Sequence, residues 1–444
     1  MADSSTPSSP RQAGAPPAKA DAGARRVGPV RRALAVLGPG FITGASDDDP
    51  SGIGTYTVAG ASLGFATLWS ALFTFPLMVT VQFICARIGL VSGQGLASVL
   101  RHHYPRWLLY PAVLALVVAN TINAGADIGA IAAAINLLVP IPAAWLVVPL
   151  AVAILALQIA GSYRLIARVF KWLTLALFAY IIAALFARPD WGAVLRATLL
   201  PSLRFTPAYL AALVAILGTT ISPYLFFWQA DQEVEEQISQ GKTTLRQRRG
   251  ASHGELRDAF WDVSAGMFFS NLVMYFIILA TAATLFKAGK TSVQSATQAA
   301  EALRPLAGNA ATILLAIGLI GSGLLAVPIL TSSAAFGVAE AFGWPRGLDA
   351  KPRRARAFYG VMIGATLVGM LINFIGINPI TALFWTAVIN GFLAPPLLVV
   401  ILLIANNRAI MGQRTNGRLT NALGVLTVAL MTAAALGLVL TAGK

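Results

Sequence analysis

The stretch GASDDDPSGIG, residues 44–54, places three adjacent aspartates and a proline inside an apolar region of the chain. The flanking segments, LAVLGPGFIT before it and TYTVAGASLGF after it, are hydrophobic enough to lie in a membrane. Each acid would cost about 2.5–3.5 kcal/mol in the middle of a plain spanning helix. We therefore expect an interrupted helix whose carboxylates face a polar or cationic partner.

The composition predicts an all-α integral membrane protein. Of 444 residues, 57% are hydrophobic and 11% are charged, and the mean hydropathy is +0.74, whereas a soluble domain carries roughly 25% charged residues. The net charge of +15 would suggest nucleic acid in a soluble chain. Here the basic residues lie in short loops between apolar runs, so we expect the lipid bilayer and no nucleic acid as a partner.

The cysteine count excludes an intrachain disulfide and a cysteine-based metal site. The chain has one cysteine, Cys85, and it lies inside an apolar run. No intrachain disulfide and no cysteine-based metal site can therefore form.

Eleven apolar stretches near the roughly 20 residues needed to cross a bilayer follow a polar amino-terminal segment. Residues 1–32, rich in Ser, Pro, Ala and Gly, predict a disordered cytoplasmic tail without a targeting peptide. The predicted spans are 34–62, 65–91, 107–138, 142–160, 163–187, 206–236, 259–286, 309–342, 357–376, 379–404 and 420–441.

The loop charges predict the orientation in the plasma (inner) membrane. With the tail in the cytoplasm, 24 of the 32 lysines and arginines fall on the inner side and 7 on the outer side. This asymmetry follows the positive-inside rule. We expect a multi-pass protein with a cytoplasmic amino terminus and an external carboxyl terminus.

Two of the predicted spans are interrupted at matching positions. SDDDPSG at 46–52 interrupts the first span and GTTISPY at 218–224 interrupts the sixth, each with a proline that disfavours helix before it. Paired breaks of this kind indicate an inverted-repeat transporter with its binding site between the breaks. We expect an inverted-repeat (5+5) broken-helix fold, with repeats at 33–205 and 206–408 and an eleventh span within 409–444.

The residues at the breaks favour a cation. Unwound carbonyl groups and an ionised aspartate make a hard, negative oxygen site, which suits a cation and repels an anionic group.

Several motifs resemble those of the NRAMP family of divalent-metal transporters, which has a LeuT-like fold. GPGF stands at 38–41, Asp49-Pro50-Ser51-Gly52 replaces the family's Asp-Pro-Gly-Asn, and Ala59-Gly60-Ala61 follows. Residues 218–225 match the family pattern of the sixth span, and NRAIMG at 407–412 resembles the end of the tenth. The resemblance covers most of the chain after the tail.

The resemblance implies a metal site, and this chain departs from the family within it. The family's aspartate, asparagine, methionine and carbonyl ligands become Asp49, Gly52, Ser222 and the carbonyl of Thr219. These losses resemble the NRAMP-related magnesium transporters, a branch that carries partly hydrated ions without proton coupling. Mg²⁺ dehydrates reluctantly and keeps several waters, so we expect the two short residues to leave room for them.

Proton coupling is not expected to be tight. Tyr224 stands where the family has a histidine, and Ala124 stands where it has an acid of the proton route, although Asp127 matches another family acid.

Further candidates surround this set. Asp48 is a possible metal ligand, and the candidates for a second shell or pathway are Asp47, Thr220, Tyr224, Gln229, Asp231, Asp127 and Asn390. For Asp127 and Asn390, hydrogen bonding between helices is the open structural alternative.

The sequence thus predicts a secondary transporter that moves a divalent cation, with Mg²⁺ or Mn²⁺ favoured, by alternating access. We expect no enzyme activity and no cofactor, because there is no Walker-type loop and no Ser/His/Asp arrangement. The alternatives are a proton-coupled Mn²⁺/Fe²⁺ importer, an amino-acid or amine transporter of the same fold, and a metal sensor. The oligomeric state stays open.

Overall fold

The computed structural model describes residues 38–160, 177–304, 308–348 and 350–442, and in these ranges it contains helices and no strands. The predicted tail, 1–32, lies outside the described residues, as does most of the predicted fifth span. The all-helical prediction is confirmed for the described chain. The division into two repeats stays a prediction.

The amino-terminal half contains eight helices of at least eight residues in its described part. They are α1 (Pro39–Asp47), α2 (Pro50–Leu63), α3 (Trp69–Ser92), α4 (Leu96–His103), α5 (Arg106–Leu138), α6 (Ala143–Ala160), α7 (Ala179–Phe186) and α8 (Trp191–Leu199).

The carboxyl-terminal half contributes seven more such helices over the same described ranges. They are α9 (Pro207–Thr220), α10 (Pro223–Ser239), α11 (His253–Thr281), α12 (Ala311–Phe342), α13 (Arg356–Ile372), α14 (Pro379–Asn406) and α15 (Arg418–Ala442). A π-helical turn, Ala282–Phe286, prolongs α11.

Within the described part of the chain, seven helical segments are long and apolar enough to cross a membrane. They are Trp69–Ser92, Arg106–Leu138, Pro207–Ser239, His253–Phe286, Ala311–Phe342, Pro379–Asn406 and Arg418–Ala442, and two shorter apolar helices are Ala143–Ile159 and Arg356–Ile372. Together with the pair α1 and α2, they lie where ten of the eleven spans are predicted. The total of eleven stays a prediction.

Both predicted interruptions are present in the structure. The first helical segment ends at Asp47 and resumes at Pro50, and Asp49 between them has extended backbone. In the sixth, α9 ends at Thr220 and α10 begins at Pro223. Each proline occupies the first position of the second half-helix, where a missing N–H leaves no hydrogen bond unmade.

Glycines let the first half-helices approach their neighbours backbone to backbone. A Cβ atom added to Gly40 would lie 2.6 Å from the backbone nitrogen of Val263, and one on Gly44 would lie 2.5 Å from the Cα of Gly266. Likewise a Cβ on Gly218 of α9 would lie 2.7 Å from the Cα of Gly391 in α14. Small residues permit such close packing of helices in membranes.

Two segments predicted as connections are helical. α4 lies in the predicted inner loop after the second span, and α8 lies in the predicted outer connection before the sixth. Both are too short to give a spanning signal. Side-chain carboxylates cap both helices. Asp190, directly before α8, accepts hydrogen bonds from the N–H groups of Gly192 and Ala193, and Glu340 of α12 accepts one from the backbone N–H of Ser98 in α4.

Gly44→Ala is expected to destabilise the protein, because its methyl group would overlap the backbone of Gly266. Overpacking of this kind costs about 1–3 kcal/mol or more. Gly364→Ala is the matched control, because a Cβ there meets nothing within 4 Å and alanine favours helix over glycine. Thermal unfolding in detergent would show a lower midpoint for Gly44→Ala only. Equal midpoints for the two variants would contradict the packing described for α1.

Candidate cation site

Asp49 is a fixed, buried carboxylate at the first break. Its Oδ1 accepts a hydrogen bond from the backbone N–H of Gly52 at 2.7 Å, and its Oδ2 accepts one from the side chain of Asn123 at 2.9 Å. The residue is 1% exposed. Asp49 thereby caps the amino terminus of α2, and each oxygen retains a lone pair for another partner. It is a positioned anion that can still accept a cation.

Ser222 and Thr219 lie together at the second break. The Ser222 hydroxyl donates to the carbonyl oxygens of Gly218 at 2.6 Å and Thr219 at 3.0 Å. Two of the ligands implied by the resemblance are thus bonded to each other. The hydroxyl oxygen keeps lone pairs that can face a cation.

The two breaks face each other at Gly52. A Cβ atom on Gly52 would lie 3.2 Å from the carbonyl oxygen of Asp47 and 3.4 Å from Oγ1 of Thr219. These two oxygens therefore border the space in which water is expected at Gly52. Gly52 stands where the family has an asparagine, and the Asp47 carbonyl and the Thr219 hydroxyl lie near the point at which that asparagine's side chain would begin.

Tyr224 joins the two broken helices. Its hydroxyl donates to the carbonyl oxygen of Ser46 at 2.9 Å, and its own carbonyl accepts a bond from Ser333 at 3.0 Å. The side chain is buried. In this structure Tyr224 satisfies a carbonyl near the end of α1, which ties α10 to the first break.

Asp47 and Asp48 face a different helix from Asp49. The Ser270 hydroxyl of α11 donates to Oδ2 of Asp47, and it lies 3.4 Å from Oδ1 of Asp48. The other carboxylate oxygen of Asp47 is buried without a hydrogen-bond partner. The three aspartates are consequently not equivalent, and Asp49 is the one that contacts α5.

Three polar residues of α5 have different partners. Asn120 donates to the carbonyl of Leu330 at 2.9 Å, and Asn123 donates to Asp49. Asp127, one turn further, lies near Asp49; both of its carboxylate oxygens are buried without a hydrogen bond of ordinary geometry, and the backbone N–H of Ser51 is the group that faces them. Hydrogen bonding between helices thus accounts for Asn120, whereas Asp127 faces the first helix break.

Two of the remaining pathway candidates, Thr220 and Gln229, bond within their own helices. The Thr220 hydroxyl donates back to the Ile216 carbonyl at 2.8 Å, and the Gln229 amide donates to Glu233 at 2.9 Å. Asn390 is buried on α14, next to the glycine that packs against α9.

Asp231 belongs to a separate charged cluster. Gly95 lies against its carboxylate and that of Glu340, whose Oε1 is 2.7 Å from the Arg346 guanidinium. The structure therefore places Asp231 with an ion pair beyond the helix break.

Asp262 of α11 holds the start of α1, and the sequence analysis missed it. Its carboxylate accepts bonds from the N–H groups of Gly38 at 2.7 Å, Gly40 at 2.7 Å and Phe41 at 3.2 Å. A carboxylate at a helix amino terminus is stabilised by the N–H groups there. An acid in a predicted span is the signal that could have pointed to it.

α11 contacts α1 from the first to the last residues of α1. Asp262, Gly266 and Ser270 are spaced by four residues, and they contact the start, middle and end of α1 respectively. The four-residue spacing puts these residues on one face of α11.

Any ion at this site would depend on few acidic ligands. Within the ranges that the structure covers, no group of three or more His, Cys, Asp or Glu residues could hold a metal ion. Asp49 would act with hydroxyl, carbonyl and amide oxygens and with water. Such an all-oxygen set suits Mg²⁺ and Mn²⁺ better than softer metals.

Comparisons with curated proteins show relatives along nearly the whole chain. The divalent metal cation transporter MntH of Deinococcus radiodurans is 30% identical over 443 residues, which cover 95% of each chain. MntH of Aeromonas hydrophila is 27% identical over 407 residues, or 90% of this chain and 93% of the relative.

Comparisons with solved structures show the fold. A manganese transporter from Eremococcus coleocola superposes with a TM-score of 0.71 at 21% identity, covering 91% of this chain and 85% of its own. Mhp1, a nucleobase-cation-symport-1 family transporter, superposes with a TM-score of 0.57 at 14% identity, covering 91% of both chains. The predicted LeuT-like fold with broken helices is confirmed.

A family profile, described as natural resistance-associated macrophage protein-like, matches residues 40–441. The match begins inside α1 and ends inside α15, so it includes both helix breaks. Together with the relative at 30% identity, it establishes that the chain belongs to the Nramp family.

Proposed function

We propose that this protein is a secondary transporter that moves a divalent cation across the plasma membrane by alternating access. The observation that carries the proposal is the Asp49 carboxylate, held by Gly52 and Asn123 where the two broken helices meet. Relatives named as divalent metal cation transporters support it. The metal ion is the substrate here, not a resident cofactor.

Mg²⁺ or Mn²⁺ is the favoured substrate. The cluster offers a carboxylate, hydroxyls and carbonyl oxygens, and Ser222 stands where a softer thioether would be expected in the family. Hard cations prefer oxygen ligands, and Mg²⁺ is usually held by one or two carboxylates with several waters. The manganese transporter among the structural neighbours keeps Mn²⁺ as an equal candidate.

Transport without tight proton coupling fits the positions of the ionisable groups. His102 and His103 end α4, and His253 begins α11, so none of the three lies beside Asp49. Tyr224 uses its hydroxyl to bind the Ser46 carbonyl. We infer that the family's usual histidine route is absent.

A proton-coupled Mn²⁺/Fe²⁺ importer is the second candidate, and one observation favours it. Asp127 is a buried carboxylate close to Asp49, and only the backbone N–H of Ser51 faces it, without forming a hydrogen bond of ordinary geometry. A carboxylate in this situation can take up a proton instead of a hydrogen bond. Simultaneous records of metal and proton entry distinguish the two candidates.

Asp49→Asn is expected to abolish divalent-cation uptake, because it removes the anion while keeping the shape of the side chain. Breaking a buried charge pair costs about 3–5 kcal/mol, so binding should weaken by more than about 100-fold. The measurement is Mg²⁺ and Mn²⁺ entry into proteoliposomes that contain metal-sensitive and pH-sensitive dyes.

Asp190→Asn is the control, since Asp190 is an exposed cap of α8. Uptake by Asp49→Asn at the control rate would refute the site. Metal entry with acidification in the unsubstituted protein would instead favour the proton-coupled candidate.

Ser222→Met is expected to shift selectivity from Mg²⁺ towards Mn²⁺, because a thioether favours softer ions and fills space that hydrated Mg²⁺ needs. A change in the Mn²⁺/Mg²⁺ uptake ratio of roughly tenfold corresponds to about 1.4 kcal/mol. Ser264→Met is the matched control, because Ser264 is only partly buried and its hydroxyl donates to the Phe260 carbonyl of its own helix. The same ratio in both variants would place Ser222 outside the ion's contacts.

A further inference from the structure

A basic pocket lies at the end of the molecule whose loops carry most of the lysines and arginines. Its volume is about 380 Å³, and its basic lining residues are His103, Arg249, Arg408 and Arg414. Four separate parts of the chain form it, namely 91–94 at the end of α3, His103 at the end of α4, 249–251 before α11 and 408–414 after α14. No Asp or Glu lines it.

The cations of this pocket have no counter-charge from the described part of the chain. Arg249 and Arg408 are exposed, and neither forms an ion pair with a residue in those ranges. Arg414 donates to the ring of His253 at 2.7 Å, which holds its guanidinium without neutralising it. Burial, followed by the charges of His102 and Arg249, lowers the pKa of His103. The positive charge of the three arginines favours an anion.

An apolar groove adjoins the basic pocket. Its volume is about 520 Å³, and its walls come from α14 and α15, two of the helices able to span a membrane. The apolar lining residues are Val399, Leu402, Leu403, Val425 and Val428. Tyr104 and Asn407, at its end, are sequence neighbours of His103 and Arg408 in the pocket. Thus one end of the apolar groove is formed by residues that are directly bonded along the chain to two residues of the basic pocket.

We propose that the pocket and the groove together bind one anionic phospholipid. The lipid phosphate lies among Arg249, Arg408 and Arg414, and one acyl chain lies along Val399 and Leu403. Guanidinium groups match phosphate oxygens in geometry and charge. Basic pockets at the ends of membrane helices bind lipid head groups. The groove explains why a lipid, and not a soluble phosphate, is the ligand.

Such a lipid would join parts of the chain that are distant in sequence. The 249–251 segment follows α10, the second half of a broken helix, whereas 408–414 connects α14 to α15. One bound phosphate would reduce the repulsion among three arginines and hold these segments together.

The test uses purified full-length protein in detergent, titrated with phosphatidylglycerol or with phosphatidylcholine. Retained lipid is counted by native mass spectrometry, and the thermal unfolding midpoint is followed. Phosphatidylglycerol should bind preferentially and raise the midpoint. In Arg249→Gln/Arg408→Gln the affinity for phosphatidylglycerol should fall about thirtyfold, as for two basic residues near an anionic head group.

Arg246→Gln/Arg257→Gln is the matched control, because both residues are exposed and neither lines the pocket. It should bind phosphatidylglycerol like the unsubstituted protein. An equal loss of phosphatidylglycerol affinity in both double variants would show that net charge alone causes the effect, and it would overturn the proposal.

Two further arms separate lipid from soluble phosphate. Glycerol phosphate carries the charge without a chain and should not raise the unfolding midpoint. Val399→Trp, at a lipid-facing position that is 44% exposed, should weaken phosphatidylglycerol binding with all the arginines intact. If glycerol phosphate stabilised the protein as well as the lipid does, or Val399→Trp bound lipid unchanged, the site would not be a lipid site.

Discussion

Unpaired backbone groups at the two helix breaks are the constraint on which the rest of the structure depends. In a membrane interior each such group costs several kcal/mol unless it finds a partner within the protein. Asp49 accepts a hydrogen bond from the Gly52 N–H. Ser222 donates to two carbonyls of α9, and Tyr224 donates to the Ser46 carbonyl. The side chains that make the breaks tolerable are therefore the ones that assemble the candidate site.

The same arrangement limits how α1 can move. Asp262 binds its first N–H groups, Gly266 lies against its middle, and Ser270 bonds to Asp47 at its end. With Asp49 buried in this arrangement, an ion can leave only if packed elements separate or shift together. Alternating access would then require α1 and α11 to part, or to move as one body, because close-packed glycine contacts do not deform gradually.

Much of this was predictable from local sequence. Pro50 and Pro223 predicted the two helix breaks, and the acids beside the first break predicted a cation site. Long apolar runs predicted the membrane spans. The direction of each aspartate was not predictable, because adjacent carboxylates differ only in the neighbours that folding brings to them. Asp262 was missed because its partners, the amides of 38–41, lie more than two hundred residues away. The oxygens that border Gly52 were not predictable for the same reason, since folding brings those of Asp47 and Thr219 to it.

The sequence by itself determined the membrane class and the positions of the two breaks, and it made Asp49 the first candidate for the site's anion, since hydropathy, proline and charge act locally. Only the tertiary structure decided which groups bond to Asp49, that Asp47 turns to α11, that Asp127 faces the first break, and that four basic residues from separate segments share one pocket. These features depend on contacts between distant helices, and the physical reason is that packing, not local propensity, determines which polar groups meet inside a membrane.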